Sequence, residues 1–60
     1  MLKAKTFAQL QILKWLESQP ISLKDFFLEA VDDNHIRIMD RTSTTKMLCC
    51  EDGYVYIEEQ

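Results

Sequence analysis

Residues 47–58 read MLCCEDGYVYIE, and this stretch decides the fold. Asp52-Gly53 separates two segments rich in strand-forming residues, which is typical of a β-hairpin with a two-residue loop. The loop sets the register, with the cross-strand pairs Glu51–Tyr54, Cys50–Val55, Cys49–Tyr56, Leu48–Ile57 and Met47–Glu58. Because successive side chains of a strand point to opposite faces, the two adjacent cysteines lie on opposite faces of the predicted sheet.

This register divides the predicted sheet into an inward and an outward face. The inward face takes apolar side chains, namely Ile36, Ile38, Leu48, Cys50, Val55 and Ile57. The outward face includes tyrosine, methionine and arginine, which are enriched at protein interfaces; its members are His35, Arg37, Met39, Met47, Cys49, Tyr54 and Tyr56. We predict that the outward set binds a partner. The alternative is a solvated face, because a small one-layer sheet cannot cover both of its sides.

The two cysteines raise the question of a disulfide, a metal or a redox role. A bond between adjacent strand residues requires a strained ring, so Cys50 is predicted to be a small core residue. Cys49 is predicted to face outward beside Tyr56. Zinc sites use four ligands at defined spacing, whereas this face offers His35, Cys49 and at most a carboxylate. The sequence therefore predicts no metal site and no cofactor.

Two helices are predicted before the strands. Residues 6–18, TFAQLQILKWLES, begin with Thr6 and Gln9 in capping-box spacing and end before Pro20, which predicts a helix over about residues 7–18. Residues 21–33, ISLKDFFLEAVDD, offer Ser22 as an N-cap. Apolar residues then recur at helical spacing, at positions 23, 26, 27, 30 and 31. This pattern predicts a second helix over about residues 23–32.

The predicted architecture is α+β, with two N-terminal helices packed on one face of a three-stranded antiparallel meander. The strands are expected over about residues 34–40, 44–51 and 54–59, and the chain, residues 1–60, is expected to form a single small domain. The first helix carries a second apolar stripe that includes Ile12 and Trp15. A helix that is apolar on two sides usually needs two neighbours. Trp15 and Ile12 are therefore predicted as a second interface.

Charge and composition narrow the class of function. The apolar fraction of 47% indicates a folded core rather than a disordered chain. Residues 25–60 carry nine acidic residues against two arginines and one lysine, which disfavours binding to a phosphate backbone. We find no apolar run long enough for a membrane span and no signal-peptide pattern. A cytoplasmic protein that does not bind membranes is the expectation.

The sequence lacks the equipment of an enzyme. It has one histidine, no glycine-rich phosphate loop and too little mass for a concave catalytic site. The predicted function is a small non-enzymatic interaction or regulatory module that docks to itself, as a homodimer, or to a protein partner. In size and plainness the chain resembles the short accessory reading frames of phages and mobile elements.

Two alternatives remain at the level of sequence. One is a nucleic-acid-binding helix-turn-helix or winged module with residues 23–31, LKDFFLEAV, as the recognition helix. That helix offers few of the side chains that read bases, so nucleic-acid binding is not expected. The other is an accessory subunit that folds fully only against a larger protein.

Overall fold

A computed structural model describes residues 2–58 of the chain. The fold is α+β, with one helix lying on one face of a four-stranded antiparallel sheet of strand order β1-β2-β3-β4. The elements in chain order are α1 (Phe7–Glu17), a 3-10 turn (Leu23–Asp25), β1 (Phe27–Asp32), β2 (His35–Met39), β3 (Thr45–Glu51) and β4 (Tyr54–Glu58). The α+β class is confirmed, but the numbers of helices and strands differ from the prediction.

Helix α1 begins at the predicted cap. The Thr6 hydroxyl accepts a hydrogen bond from the backbone N–H of Gln9 at 3.1 Å, which satisfies one of the unpaired donors of the first turn. The Gln9 side chain accepts from the backbone N–H of Lys5 at 2.8 Å and donates to the backbone oxygen of Asp32 at 2.7 Å. Thr6 also donates to the backbone oxygen of Asp33. The cap therefore attaches the helix to the β1–β2 turn as well as starting it.

The predicted helix over residues 23–32 is wrong. Leu23–Asp25 form a single 3-10 turn in which the Ser22 side chain makes no capping bond, and Phe27–Asp32 form strand β1. Its apolar residues fit a strand as well as a helix, since Leu28 and Ala30 are half-buried while Phe27 and Val31 are exposed. A short isolated helix is marginal, whereas pairing with β2 satisfies the backbone of the segment through the sheet. Residues 23–31 therefore do not form the recognition helix that the nucleic-acid-binding alternative requires.

The predicted β3–β4 hairpin is confirmed in register and in turn. Cys49 pairs with Tyr56 and Cys50 pairs with Val55. Asp52 and Gly53 form the tip with φ values of 52° and 81°, the left-handed conformations that a two-residue hairpin turn requires. The preceding hairpin pairs Ile36 with Leu48, so both of these residues lie on the inward face. The last predicted strand included residue 59, which lies outside the described residues.

The core lies between α1 and the inner sheet face. Its buried residues come from the helix and from β2 and β3, namely Ile12, Leu13, Leu16, Ile36, Leu48 and Cys50. Ile12 is completely buried in the core and is therefore not available to the predicted second interface. Trp15 packs against the core and is half-buried, and its part in a second interface stays a prediction. Phe7 and Leu10 are the exposed apolar residues of this helix.

Within residues 2–58, no helix has the length and apolar character needed to cross a bilayer.

Candidate functional site

The sheet face opposite α1, here called the outer face, carries a row of polar side chains that crosses all four strands. Asp32 of β1 pairs with His35 of β2, His35 pairs with Cys49 of β3, and Cys49 pairs with Tyr56 of β4. Paired residues on neighbouring strands point to the same face and lie side by side. We call Asp32, His35, Cys49 and Tyr56 the outer row.

His35 is bonded at both ring nitrogens. Nδ1 lies 2.7 Å from Oδ1 of Asp32 and 3.0 Å from Oδ1 of Asn34, and Nε2 lies 3.0 Å from Oε2 of Glu58. Hydrogen bonding to Asp32, and then to Glu58, raises the pKa of His35 because both carboxylates favour the protonated ring. The hydrogen bond to His35 in turn lowers the pKa of Asp32. The ring is therefore fixed in orientation by two carboxylates and an amide.

Cys49 lies at the centre of the outer row and is buried, with 2% of its surface exposed. The prediction that it lies on the outer face beside Tyr56 is confirmed by its pairing with His35 and Tyr56, and the structure adds that its side chain is covered by neighbouring groups. Its neighbours in the row flank it, and the Asn34 amide donates to its sulfur at 3.9 Å. The thiol is free, as is that of Cys50. A buried sulfur lined with polar groups is thus held at the middle of this face.

Tyr56 closes the row on β4. Its hydroxyl donates to Oε2 of Glu51 at 3.0 Å, while 42% of the residue remains exposed. Hydrogen bonding with Cys49, and then with Glu51, raises the pKa of Tyr56, because an ionised phenol would face two groups that can themselves be negative. The phenol is therefore held as a neutral donor beside the sulfur.

A second row lies next to the outer row. Arg37 pairs across strands with Glu29 and Met47, and its Nη1 lies 2.8 Å from Oε1 of Glu29. Both partners of this ion pair are largely exposed, so it contributes little to stability. Met39 and Met47 are half-buried and Tyr54 is 76% exposed. All seven residues of the predicted outward set belong to β2, β3 or β4.

Sequence reasoning missed several residues that the structure adds to this face. The sequence predicts Asp32 at the end of the second helix and gives Asn34 and Glu58 no role on this face. Asp32 and Glu58 instead contact the two nitrogens of His35, and Asn34 contacts both His35 and Cys49. Glu58 could have been placed on this face from the sequence, because it lies two residues after Tyr56 on the same strand and so points to the same side.

Two shallow hollows lie elsewhere on the surface. One is lined by residues such as Ile21, Asp25 and Arg41, and the other by Leu2, Leu23 and Phe27. Neither hollow is lined by a member of the outer row. The titratable and metal-ligating side chains of the outer row therefore lie away from both hollows.

Comparison of the chain with protein-family models, with curated proteins and with solved structures found no match.

Proposed function

We propose that this protein is a small non-enzymatic interaction module that acts in the cytoplasm by docking to a second copy of itself through strand β4. The observation that carries the proposal is the exposure of this edge strand on both of its faces. Tyr54 is 76% exposed and Tyr56 is 42% exposed on the outer face, and Ile57 is 45% exposed on the inner face. An edge strand with apolar side chains on both faces is suited to pairing with another strand.

The two edges of the sheet differ in how they are protected. At the β1 edge the register with β2 is interrupted between Ala30 and Asp32, an irregularity that discourages further pairing. The β4 edge keeps a regular register with β3 from Glu51–Tyr54 to Met47–Glu58. Its sequence, residues 54–58, contains neither lysine nor proline. Strand β1 also lacks both residues, so the break in its register is what distinguishes the two edges and makes β4 the edge open to a partner.

Strand β4 is also complementary to itself. If two copies pair antiparallel about a two-fold axis at Tyr56, Val55 of one copy lies opposite Ile57 of the other, on the inner face. Tyr54 lies opposite Glu58 on the outer face, within reach of a phenol–carboxylate hydrogen bond. Such a contact uses the same surface twice, which is the requirement of a two-fold dimer. The exposed side of Ile57 then gains an apolar partner.

The size of this contact sets the strength to expect. Strand β4 has five residues, so pairing through it alone buries less than the about 1,000 Å² of a stable interface. The dimer should therefore be weak, and the fraction of chains in the dimer should rise with protein concentration. Regulation by a change in protein concentration is the kind of role that such a contact allows.

The experiment is size-exclusion chromatography with light scattering over a wide range of protein concentration, with a chelator and a reductant present. The wild-type chain should move from monomer to dimer as concentration rises. Ile57→Lys should raise the dimer dissociation constant at least 10-fold, because it places two buried charges at the paired strands. Phe7→Lys is the matched control, since Phe7 is an exposed apolar residue, at 69%, on the helix instead.

Three results would overturn the proposal. One is a wild-type chain that stays monomeric at every concentration. Another is a dimer that Phe7→Lys disrupts and Ile57→Lys does not, which would assign the contact to α1. The third is a monomer that unfolds readily by circular dichroism, which would favour an accessory subunit that requires a larger protein.

A further inference from the structure

We propose that His35, Cys49 and Glu58 form a binding site for a single divalent late first-row transition metal, with Zn²⁺ the best match, and leave one coordination position open to water. The site does not require the proposed dimer, because its three residues come from one copy of the chain, although Glu58 also lies opposite Tyr54 of the other copy in that dimer. It also differs from what the sequence predicted, which was no metal.

The distances suit a shared ion. One ligand atom from each of the three residues lies within 4.8 Å of the other two, and Nε2 of His35 is 3.0 Å from Oε2 of Glu58. In a tetrahedral zinc site the bond lengths place ligand atoms about 3.3–3.6 Å apart. Side-chain rotations that move the sulfur or the carboxylate by about 1 Å therefore bring all three onto one ion.

The sheet itself gathers these ligands. His35 and Cys49 are direct cross-strand partners, and Glu58 lies two residues after Tyr56, the partner of Cys49 on the other side. The three side chains therefore point the same way from three adjacent strands, whose spacing is fixed by the backbone. A site built on regular strands is positioned before the metal arrives.

The neighbours of the ligands provide a second, independent indication of a metal. Metal-binding histidines usually donate the remaining ring N–H to a carboxylate or carbonyl, which fixes the tautomer. Here Nδ1 of His35 is 2.7 Å from Asp32, which leaves Nε2 on the side of Glu58, 3.0 Å from Oε2. The Asn34 amide donates a hydrogen bond to the Cys49 sulfur at 3.9 Å and so helps to fix its position. Both His35 and Cys49 are therefore held in position by polar neighbours.

The donor types and charges select the class of metal. Imidazole nitrogen with thiolate sulfur favours zinc and its late first-row neighbours over Mg²⁺ or Ca²⁺, which prefer oxygen ligands. A thiolate and a carboxylate together carry two negative charges and balance one divalent ion. On binding, the Cys49 S–H bond and the His35 Nε2–H bond break and both protons leave to buffer. The sulfur and nitrogen lone pairs then form bonds to the metal, and the hydrogen bond between Nε2 and Glu58 is replaced by the two bonds to the ion.

Three protein ligands leave a fourth position for water, which distinguishes this site from closed structural zinc sites. The Glu58 side chain is about half exposed, whereas Cys49 is buried, so the ion would lie at the surface above the sulfur. Water or a ligand group from a partner is able to complete the coordination from the solvent side.

Titration of Co²⁺ into chelator-treated, fully reduced protein tests the proposal, because thiolate-bound Co²⁺ has a charge-transfer band in the near ultraviolet. The wild-type chain should develop this band with a stoichiometry of one ion per chain, and added Zn²⁺ should abolish it. Excess Mg²⁺ should leave it unchanged. Cys49→Ala should lose the band completely, and Asp32→Asn should weaken binding by about 10–100-fold.

Cys50→Ala is the matched control. Cys50 is the adjacent residue, also buried and also a free thiol, but it faces α1 on the inner face. This variant should keep the band. His35→Gln, which leaves both thiols in place, should lose it, and circular dichroism should show that each variant is folded.

The proposal is overturned if the wild-type chain gives no band or if the folded Cys49→Ala variant retains it. It is also overturned if Cys50→Ala removes the band while Cys49→Ala keeps it, since the thiolate would then lie in the core. Because one copy of the chain supplies all three ligands, these measurements do not require dimerisation through β4.

Discussion

Cys49 and Cys50 are adjacent and almost equally buried, at 2% and 5% exposed, yet they lie in two different environments. Cys50 faces α1 among Ile12, Leu16 and Leu48, where burial comes from apolar packing. Cys49 faces the outer side, where burial comes from the side chains of the outer row and its neighbours. Burial on the inner face therefore stabilises the fold, whereas burial on the outer face assembles polar groups around a sulfur.

The two faces also differ in how their polar atoms are satisfied. On the inner side the buried polar residue is Gln9, whose amide bridges Lys5 and Asp32. On the outer side the hydrogen bonds join side chains to side chains, from Asp32 through His35 to Glu58. Such side-chain networks are a minority of protein hydrogen bonds. On this face they fix the orientation of His35 between two carboxylates.

The largest expected effect is on the inner face. Leu48→Ala should lower the free energy of unfolding by about 3 kcal/mol, because Leu48 is 1% exposed and its loss leaves a cavity between the sheet and α1. Urea denaturation followed by circular dichroism measures this change. The matched variant is Met47→Ala on the outer face, where the half-buried side chain should cost about 1 kcal/mol.

The comparison of faces fails if the two variants lose the same stability. An equal loss would mean that the outer face is packed as tightly as the core, with a partner or second copy covering it. Repeating the measurement at several protein concentrations distinguishes that case, since stabilisation by association depends on concentration.

A smaller effect on stability is expected at the Asp52-Gly53 turn, which sets the register of β3 against β4 and hence the face on which each side chain lies. Gly53 has a φ of +81°, and the space around its Cα is open, so Gly53→Ala brings conformational strain without a clash. The left-handed conformation should cost about 1 kcal/mol in the free energy of unfolding. Ser43 has a φ of 67° in the β2–β3 connection, so Ser43→Gly should have the opposite sign and stabilise the protein.

Thermal unfolding of both variants checks these signs. If Gly53→Ala is neutral, the Asp52-Gly53 turn does not determine the register of β3 against β4. The assignment of Cys49 to the outer face and Cys50 to the inner face would then need another cause.

This turn also explains why the sequence predicted one half of the fold better than the other. Asp52-Gly53 is a local signal, and alternation in the flanking residues agrees with it, so the hairpin register followed from few residues. Residues 27–32 have no such local signal. Their apolar spacing satisfies both a helix and a strand, and the pairing with β2 that decides between them is a tertiary interaction.

The same distinction applies to the candidate site. The shared face of His35, Cys49 and Tyr56 was predictable, because it depends on the alternation of side chains in strands. The contributions of Asp32 and Asn34 were not, because they depend on β1, which was predicted as helix. The burial of Cys49 was missed for the same reason, since neighbours contributed by the turn after β1 help to enclose it.

The smallest expected effect concerns the loop after β2, in which one carboxylate accepts three hydrogen bonds. Asp40 Oδ1 accepts hydrogen bonds from the backbone N–H and the hydroxyl of Thr42, at 2.8 and 2.6 Å, and from the backbone N–H of Thr44, at 3.1 Å. Hydrogen bonding to Thr42, and then to Thr44, lowers the pKa of Asp40 below its ordinary value of 3.8. A pKa that is lower in the folded state stabilises the fold above the unfolded-state pKa, and this stabilisation is lost as pH falls through the folded-state pKa.

Comparison of the unfolding free energies of the wild type and Asp40→Asn between pH 2 and pH 7 measures this stabilisation. The wild type should be the more stable near neutral pH, and the difference should shrink in acid. A difference that does not vary with pH would mean that the loop depends on the shape of the side chain and not on its charge, and it would leave the network around His35 as the place to seek the pH dependence of this sheet.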